Sequence, residues 1–180
     1  MAIRKILTVP HDTLKRKARK VIDFGPGLQT LIDDMLETMH DAPGSGLAGN
    51  QIGELQRVFI AEFGDEEDEE VPPKLYIIVN PEITRKSKET ISGIEGCLSV
   101  PDFVGEVERA TAVTIKGQNR HGQKMKLKAS GWLARIFQHE VDHLDGVVFL
   151  DRAEKIYRLE DIQPEEMEGE IPSGTPTEIS

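Results

Sequence analysis

The segment Gln138–Leu144 constrains the fold of this chain more than any other part of its sequence. It contains His139 and His143, four positions apart, and Glu140 directly follows the first histidine. On an α-helix, residues four apart lie on the same face, about one turn from each other. Two imidazoles so placed can bind one metal ion without distorting the backbone, and Glu140 would then lie beside that ion, placed to accept a proton from a metal-bound water. The segment therefore predicts a helix that carries a metal site, although the same pattern can arise by chance in a soluble helix.

The cysteine content supplies a candidate third ligand. Cys97 is the only cysteine of the chain and lies in the segment Gly93–Pro101. A single cysteine is more often a small buried side chain than a ligand, but here it occurs together with the histidine pair. One thiolate and two imidazoles leave a coordination position open, which is typical of catalytic metal sites. Because an internal disulfide needs a second cysteine, a reducing, cytoplasmic location is expected.

Size and charge limit the function classes. The chain has 180 residues, a net charge of −10 and 38% hydrophobic residues, which predicts one soluble domain with its own core. The negative charge argues against specific nucleic-acid binding. No apolar stretch is long enough to span a bilayer, and Met1–Pro10 lacks the apolar core of a signal peptide. The basic cluster Lys15–Lys20 could attract an anionic partner such as RNA, but we expect a solvated face.

Hydrophobic spacing predicts two long helices, Gly27–His40 and Ser130–Leu144, the second capped by Ser130. An extended arm and a brief helix are expected before them, at Ile3–Pro10 and at Asp12–Ala18, with Asp12 as the N-cap of the brief helix. Strands are predicted at Val58–Ala61, Leu75–Val79 (ending at Asn80–Pro81), Val104–Arg109, Thr111–Ile115 and Met125–Lys128.

The order of these elements predicts an α+β fold, with antiparallel β-sheets packed around a central metal-binding α-helix in a single domain. The acidic run Asp65–Glu70 lacks the ligand pattern of a calcium loop and predicts a mobile hairpin tip. The domain is expected to span residues 1–161. Residues 162–180, rich in Glu, Pro, Gly, Ser and Thr, are expected to form an acidic, disordered tail.

Three motifs occur in order along the chain: Gly44–Gln51, Glu95–Ser99 and Gln138–His143. Together they resemble the motifs of peptide deformylase, the enzyme that removes the formyl group from the N-terminal methionine of new bacterial and organellar polypeptides. The resemblance extends over Ile3–Leu150. Three separate motifs are far more specific than any one of them.

Some residues depart from the family's pattern. Members usually carry a branched apolar residue where this chain has Ser45, alanine where it has Gly49, and often a basic or aromatic side chain near Val104. The acidic tail also differs from the basic C-terminal helix with which some members dock on the ribosome. That docking mode is therefore not carried over.

The resemblance implies a set of ligands and catalytic groups. Cys97, His139 and His143 would hold one divalent metal ion per chain, usually Fe(II), with zinc or nickel able to replace it. Glu140 would accept the proton of the attacking water and later deliver it to the departing amine. The side-chain amide of Gln51 and the backbone N–H of Leu98 would stabilise the oxyanion of the tetrahedral intermediate. The expected partners are N-formyl-methionyl nascent peptides, and a transient contact with the ribosome is left open.

The substrate pocket is expected on two elements. Gly44, Ser45 and Gly46 belong to a glycine-rich loop on which the backbone can approach a bound peptide. Trp132, Arg135 and Ile136 share the helix face of His139. Ile136 and Trp132 could wall an apolar pocket for a methionine side chain, to which Arg135 adds its aliphatic stem; equally, Trp132 could belong to the core. Asp142 and Asp145 are candidates for orienting a ligand imidazole; either could instead be an exposed charge at the helix end.

Two other functions are compatible with parts of the sequence. A zinc endopeptidase also carries the His-Glu-x-x-His pattern, and its third ligand would have to come from an acid such as Glu154 or Glu160. A binding module stabilised by a closed four-ligand metal site would need no catalytic groups. The presence of Glu140 and Gln51 argues against the binding module.

Overall fold

The structure is a computed structural model, and it describes residues 2–64 and 68–163. Residues 164–180, most of the predicted tail, lie outside the described part, as do residues 65–67 of the predicted hairpin tip. The expected disorder of the tail and mobility of the hairpin tip therefore stay predictions for those residues.

Two α-helices form where the hydrophobic spacing predicts them. Helix α1 spans Pro26–Asp41, with proline in its first turn, where a missing backbone N–H leaves no helical bond unmade. Helix α2 spans Gly131–Leu144. It ends just before Gly146, whose φ of 79° favours glycine. Ser130 is the N-cap residue of α2, but within the described part of the chain its side chain makes no capping hydrogen bond.

The strands form two antiparallel sheets. Their bounds are β1 Gly46–Ala48, β2 Val58–Phe63, β3 Lys74–Lys86, β4 Thr90–Cys97, β5 Val100–Ala110, β6 Ala112–Gln118, β7 Lys124–Ser130 and β8 Lys155–Arg158. Among the described residues, the larger sheet has the order β1-β2-β3-β6-β7 and the smaller sheet the order β4-β5-β8. Short 3-10 helices occur at Asp12–Lys15, Gly49–Ile52, Phe149–Asp151 and Leu159–Asp161.

The larger sheet lies between the two helices. Along β2, Val58 and Ile60 pack in the cluster that contains the apolar face of α1, whereas Phe59 and Ala61 pack in the cluster that contains α2. This alternation is that of a strand buried on both faces. Both faces of the larger sheet are thus covered by helix.

The smaller sheet covers another side of α2. The side-chain amide of Gln138 accepts a hydrogen bond from the backbone N–H of Ala110 at 3.2 Å and donates one to its carbonyl oxygen at 3.0 Å. Arg135 donates to the carbonyl oxygen of Val107, also on β5, at 2.8 Å. Helix α2 is therefore packed between the two sheets, and the predicted α+β fold with antiparallel sheets around a central helix is confirmed.

Several local predictions were wrong. The brief helix ends at Lys15, and its N-cap is His11, whose ring accepts a hydrogen bond from the backbone N–H of Thr13. The strands predicted at Val104–Arg109 and Thr111–Ile115 both form, within β5 and, from Ala112, in β6, but they lie in different sheets and do not pair with each other. Strands β4 and β8 were not predicted. Part of the glycine-rich loop forms β1, the edge strand of the larger sheet among the described strands.

Strand β3 continues through Asn80 and Pro81, where the sequence predicted its end. Its pairing with β6 shifts register between Val79 and Glu82, so the missing N–H of proline falls at a bulge. Asn80 adopts a left-handed φ of 52°. Its side-chain amide accepts from the N–H of Val21 at 2.8 Å and donates to the carbonyl of Val21 at 2.9 Å and to Gln118 at 2.8 Å. The bulge is thus held by side-chain hydrogen bonds.

Substitution of Asn80 should separate the stability that its side-chain hydrogen bonds contribute from the effect of its left-handed backbone conformation. Asn80→Gly removes the three hydrogen bonds but keeps the left-handed backbone accessible, and we expect a loss of about 1–3 kcal/mol of unfolding free energy. Asn80→Ala removes the same bonds and adds left-handed strain, so it should lose about 1 kcal/mol more. Urea unfolding of the two variants measures the difference. Equal stability of the two variants would contradict the role of the backbone conformation.

Candidate active site

Three potential ligands lie close together beside α2. The Cys97 thiol and the ring nitrogens of His139 and His143 offer ligand atoms that all lie within 4.8 Å of one another. Cys97 Sγ lies 3.3 Å from His143 Nε2, which lies 3.1 Å from His139 Nε2. The two histidines come from successive turns of α2 and the cysteine from the end of β4. The structure thus brings together the three residues that the sequence singled out as ligands.

The donor atoms fit a divalent metal ion. His139 Nδ1 donates to Glu95 Oε1 at 2.8 Å, which leaves a lone pair on Nε2 facing the Nε2 of His143. Two ring nitrogens this close need a proton or a cation between them. Metal–nitrogen and metal–sulfur bonds of about 2.0–2.3 Å in a tetrahedron place the donor atoms roughly 3.3–3.7 Å apart, close to the observed separations.

The surroundings of the two imidazoles also favour a cation. Burial, reinforced by the charge of His139, lowers the pKa of His143 well below its usual value, which favours the neutral ring that metal ligation requires. Burial would also lower the pKa of His139, but its hydrogen bonds with Cys97 and Glu95 outweigh this and raise the pKa well above its usual value. Electron-rich neighbours that favour a proton on a ring also favour a metal ion in its place.

Glu95 orients the first histidine. It is buried, and its two carboxylate oxygens accept from His139, from Arg109 at 2.8 and 2.9 Å, and from Arg135 at 2.7 Å. Burial would raise the pKa of Glu95, but the hydrogen bonds from Arg109 and His139 outweigh it and hold the pKa well below its usual range. The carboxylate is therefore ionised and fixes the ring of His139 with its Nδ1 protonated.

The expectation that Asp142 or Asp145 orients an imidazole was wrong, because both carboxylates accept hydrogen bonds from arginines instead. Asp142 accepts from Arg109 at 2.6 Å and from Arg152 at 2.6 Å. Asp145 accepts from Arg57 at 2.8 Å. Asp142 is connected to His139 through Arg109 and Glu95. The sequence did carry a signal for Glu95, an acid two residues before the candidate cysteine, but its partner Arg109 lies on another strand.

Glu140 lies beside the ligand cluster as a buried carboxyl. Its Oε2 has no hydrogen-bond partner among the described residues. Burial raises the pKa of Glu140 to about 7, and the charge of His139 opposes this shift. Gly46 leaves room for the carboxyl, since a Cβ there would lie 2.6 Å from Glu140 Oε1. A carboxyl of this kind can accept and release a proton near neutral pH.

The amide of Gln51 points toward the ligand cluster. Its Oε1 accepts from the backbone N–H of Ala48 at 3.0 Å. Its Nε2 donates to Ser99 Oγ at 3.1 Å and to Cys97 Sγ at 3.5 Å. Because its oxygen is occupied on one side, the amide presents its N–H groups to the site. Sequence reasoning missed Ser99, although it is the last residue of the cysteine motif.

A cavity of about 610 Å³ opens next to the cluster. It is bordered by all the residues expected to form the substrate pocket and by all three expected catalytic residues: Gly44, Ser45, Gly46, Trp132, Arg135, Ile136, Gln51, Leu98 and Glu140. Trp132 also packs against the core cluster of α2, so the two expectations for it are compatible. The guanidinium of Arg135 donates hydrogen bonds to protein acceptors. The sequence predicted only that the aliphatic stem of Arg135 contributes to the pocket wall. Phe103 and Leu159 line the cavity too, and neither was expected.

The acids considered for a zinc endopeptidase lie elsewhere. Glu154 and Glu160 are both exposed. Glu160 forms an ion pair with Arg158 at 3.9 Å. Within the described part of the chain, the cluster of potential ligands consists of the cysteine and the two histidines and contains neither acid.

Helices α1 and α2, like the rest of the described chain, offer no helical segment of the length and apolarity needed to cross a bilayer.

Comparison with known proteins identifies the family. The family model described as "Polypeptide deformylase" matches residues 3–158. The peptide deformylase of Natranaerobius thermophilus is 45% identical over 161 residues, which cover 89% of this chain and 99% of the relative. The crystal structure of peptide deformylase from Thermotoga maritima has a TM-score of 0.79 at 35% identity and covers 86% of this chain and 99% of that one. The Met-Ala-Ser-bound class I type b peptide deformylase from Acinetobacter baumannii has a TM-score of 0.77 at 36% identity, covering 84% and 98%. The chain belongs to the polypeptide deformylase family.

Proposed function

We propose that the described site carries out the activity of the family, the removal of the formyl group from the N-terminal formyl-methionine of newly made polypeptides with release of formate. The protein is a metal-dependent hydrolase of this family. The observation that carries the assignment of residues is the convergence of Cys97, His139 and His143 beside the buried carboxyl of Glu140. A cluster with three protein ligands leaves room for reactants, as catalytic sites do.

The metal ion would be held by Cys97, His139 and His143. When bound, a divalent ion would supply Lewis acidity, lowering the pKa of a water molecule and polarising the formyl carbonyl. A mixed thiolate and imidazole set suits Fe(II), zinc and nickel. We propose Fe(II) as the physiological ion, with zinc or nickel able to replace it, by analogy with the family.

Glu140 is proposed as the proton carrier. Its unpartnered Oε2 and a pKa of about 7 let it accept a proton from the attacking water. It would then deliver this proton to the departing amine. The amide N–H of Gln51 and the backbone N–H of Leu98 are proposed as the oxyanion donors. The hydrogen bonds of Gln51 support its role because they fix the direction of the donor.

The peptide is proposed to bind along β1. This strand is the outer strand of the larger sheet as described, and Gly44, Ser45 and Gly46 border the cavity. An exposed strand edge can pair with an extended peptide backbone. The methionine side chain would then enter the cavity between Ile136 and Trp132. The Acinetobacter baumannii relative, solved with Met-Ala-Ser bound, supports a peptide with N-terminal methionine as the ligand.

The setting of the reaction is also a proposal. Nascent polypeptides are made in the cytoplasm, and we propose that the protein acts there, with at most a transient contact with the ribosome. The side chains of Arg16, Lys17, Arg19 and Lys20 are exposed, as expected for a solvated basic face.

Replacement of the proposed proton carrier tests the function. Purified wild type should release formate from a formyl-Met peptide. Glu140→Gln keeps the size of the side chain but removes its basicity, so we expect unchanged metal content and a loss of kcat of about 100-fold or more. The exposed Glu82→Gln serves as a control and should keep full activity. An active Glu140→Gln enzyme would contradict the proposed role of Glu140 as proton carrier.

Gln51→Glu tests the oxyanion donor. The substitution keeps the shape of the side chain and removes its N–H donors, so kcat should fall by about 100-fold or more, with smaller effects on KM. Gln123→Glu adds the same charge in an exposed turn and should behave as wild type. Steady-state kinetics with a formyl-Met peptide give both constants. A kcat of Gln51→Glu within a few-fold of wild type would contradict the assignment.

Metal analysis of two alanine variants separates the deformylase from the endopeptidase. Cys97→Ala removes a ligand and should lose most of the bound metal and the activity. Glu154→Ala should retain both, because its side chain is exposed and outside the cluster. The reverse pattern, with full metal in Cys97→Ala, would rule out the proposed ligand set.

A further inference from the structure

Arg135 is anchored far more tightly than a residue that only contributes an aliphatic wall. Its side chain is 5% exposed. The guanidinium donates to Glu95 Oε2 at 2.7 Å, to the carbonyl oxygen of Val107 at 2.8 Å and to the carbonyl oxygen of Ile91 at 2.7 Å. These acceptors belong to β4 and β5. The fork of the arginine therefore ties α2 to both strands of the hairpin that carries Glu95 and Cys97.

The backbone around Arg135 is shaped to receive it. Gly93 lies two residues before Glu95 on β4, on the same face of the strand. A Cβ at Gly93 would lie 3.1 Å from the Cζ and Nη2 atoms of Arg135. The centroid of the Trp132 ring lies 5.6 Å from Arg135 Cζ. The guanidinium thus lies close to both β4 and the indole.

The charge of Arg135 is needed at this position. Glu95 and Asp142 are both buried, and both bind Arg109. The Arg109 guanidinium is therefore shared between two carboxylates, and Asp142 has a further partner in the half-exposed Arg152. Arg135 supplies the second buried cation, and it contacts Glu95 on the oxygen opposite the one that accepts from His139. A buried carboxylate that loses a partner changes its position or its surroundings, because an unpaired buried charge is strongly unfavourable.

We propose that Arg135 is a positioning residue for the metal centre, holding Glu95 in the orientation that fixes the ring of His139 for ligation. The same side chain borders the substrate cavity, so the wall of the pocket and the metal ligand are joined through two hydrogen bonds, from Arg135 to Glu95 and from His139 to Glu95. This inference deepens the proposed function and depends on its metal site.

The test compares metal binding by matched variants. Arg135→Met replaces the aliphatic stem of arginine in the cavity wall with an unbranched apolar side chain. It removes the charge and all hydrogen-bond donors. Removing a group that orients a metal-ligating histidine typically weakens metal binding by about 10–100-fold. We expect a change of that size for Zn²⁺, measured by equilibrating the Zn²⁺-loaded protein with a competing chelator. The Co²⁺-substituted protein should show altered ligand-field absorption bands, which report the geometry of the ligands.

Arg57→Met is the control. Arg57 is also largely buried and donates to one carboxylate and one backbone carbonyl, those of Asp145 and Pro81, but it contacts none of the three ligands. It should lose stability in urea while its Zn²⁺ affinity and Co²⁺ spectrum stay those of wild type. A general loss of stability in Arg135→Met would thereby be distinguished from a specific loss of metal binding.

Wild-type Zn²⁺ affinity in folded Arg135→Met would overturn the proposal, leaving Arg135 as part of the cavity wall. If that variant fails to fold, Arg135→Lys decides: lysine keeps the charge but cannot reach three acceptors in different directions. We expect its Zn²⁺ affinity to fall about tenfold, and wild-type affinity would again overturn the proposal. The Zn²⁺ measurement does not depend on turnover. If the wild type released no formate, the proposed function would be contradicted, but the test of Arg135 would keep its meaning.

Discussion

The buried carboxylate of Glu95 is the interaction on which the geometry of the site depends. It receives hydrogen bonds from Arg109 on β5 and from Arg135 and His139 on α2. Removing a carboxylate from water costs several kcal/mol unless its partners are in place. Separation of α2 from the smaller sheet would leave this charge without Arg135 and His139, with Arg109 of β5 as its remaining partner. The hydrogen bonds to Glu95 therefore both stabilise the packing of α2 against the smaller sheet and orient the ring of His139.

The different faces of helix α2 meet the larger sheet, the smaller sheet and the cavity. Ala134, Phe137 and Val141 belong to the core cluster that packs against the larger sheet. Arg135, Gln138 and Asp142 hydrogen-bond to residues of the smaller sheet. Ile136, His139 and Glu140 border the cavity. An amphipathic helix usually turns its polar face to water, whereas here that face is buried and its groups find acceptors and donors on the hairpin β4–β5. Reactive side chains on such a helix are held by packing on every side, which suits a site that needs fixed geometry.

The sequence was most informative where function and structure coincide. Helical spacing predicted α1 and α2 because both bury an apolar stripe. The same spacing paired His139 with His143. Strand β4 was missed since Gly93 and Glu95 lie on one of its buried faces instead of apolar side chains. The ion-pair partners of Glu95, Arg109 and Arg135, are distant in sequence. The register of the hairpin β4–β5 places Gly105 opposite Glu95 and Arg109 opposite Ile91. The side chain of Arg109 reaches Glu95 along the sheet, and the sequence pattern does not indicate such a partner. Four-residue β8 is too short for any alternation to be recognised.

The glycine at position 49 has a physical reason in this chain. A Cβ at Gly49 would lie 2.7 Å from the carbonyl oxygens of Glu54 and Gln56. The following loop therefore closes directly over the short helix that carries Gln51. The carbonyl of Gln51 accepts from the N–H of Leu7 at 2.7 Å, and its side chain is held by Ala48 and Ser99. The extended N-terminal arm and the tight loop thus restrain the backbone of Gln51 from two sides, while its amide is fixed by side-chain hydrogen bonds. An oxyanion donor gains most when it needs no reorganisation. For the donor proposed at Gln51, backbone contacts far from the proposed metal ligands in sequence meet that condition.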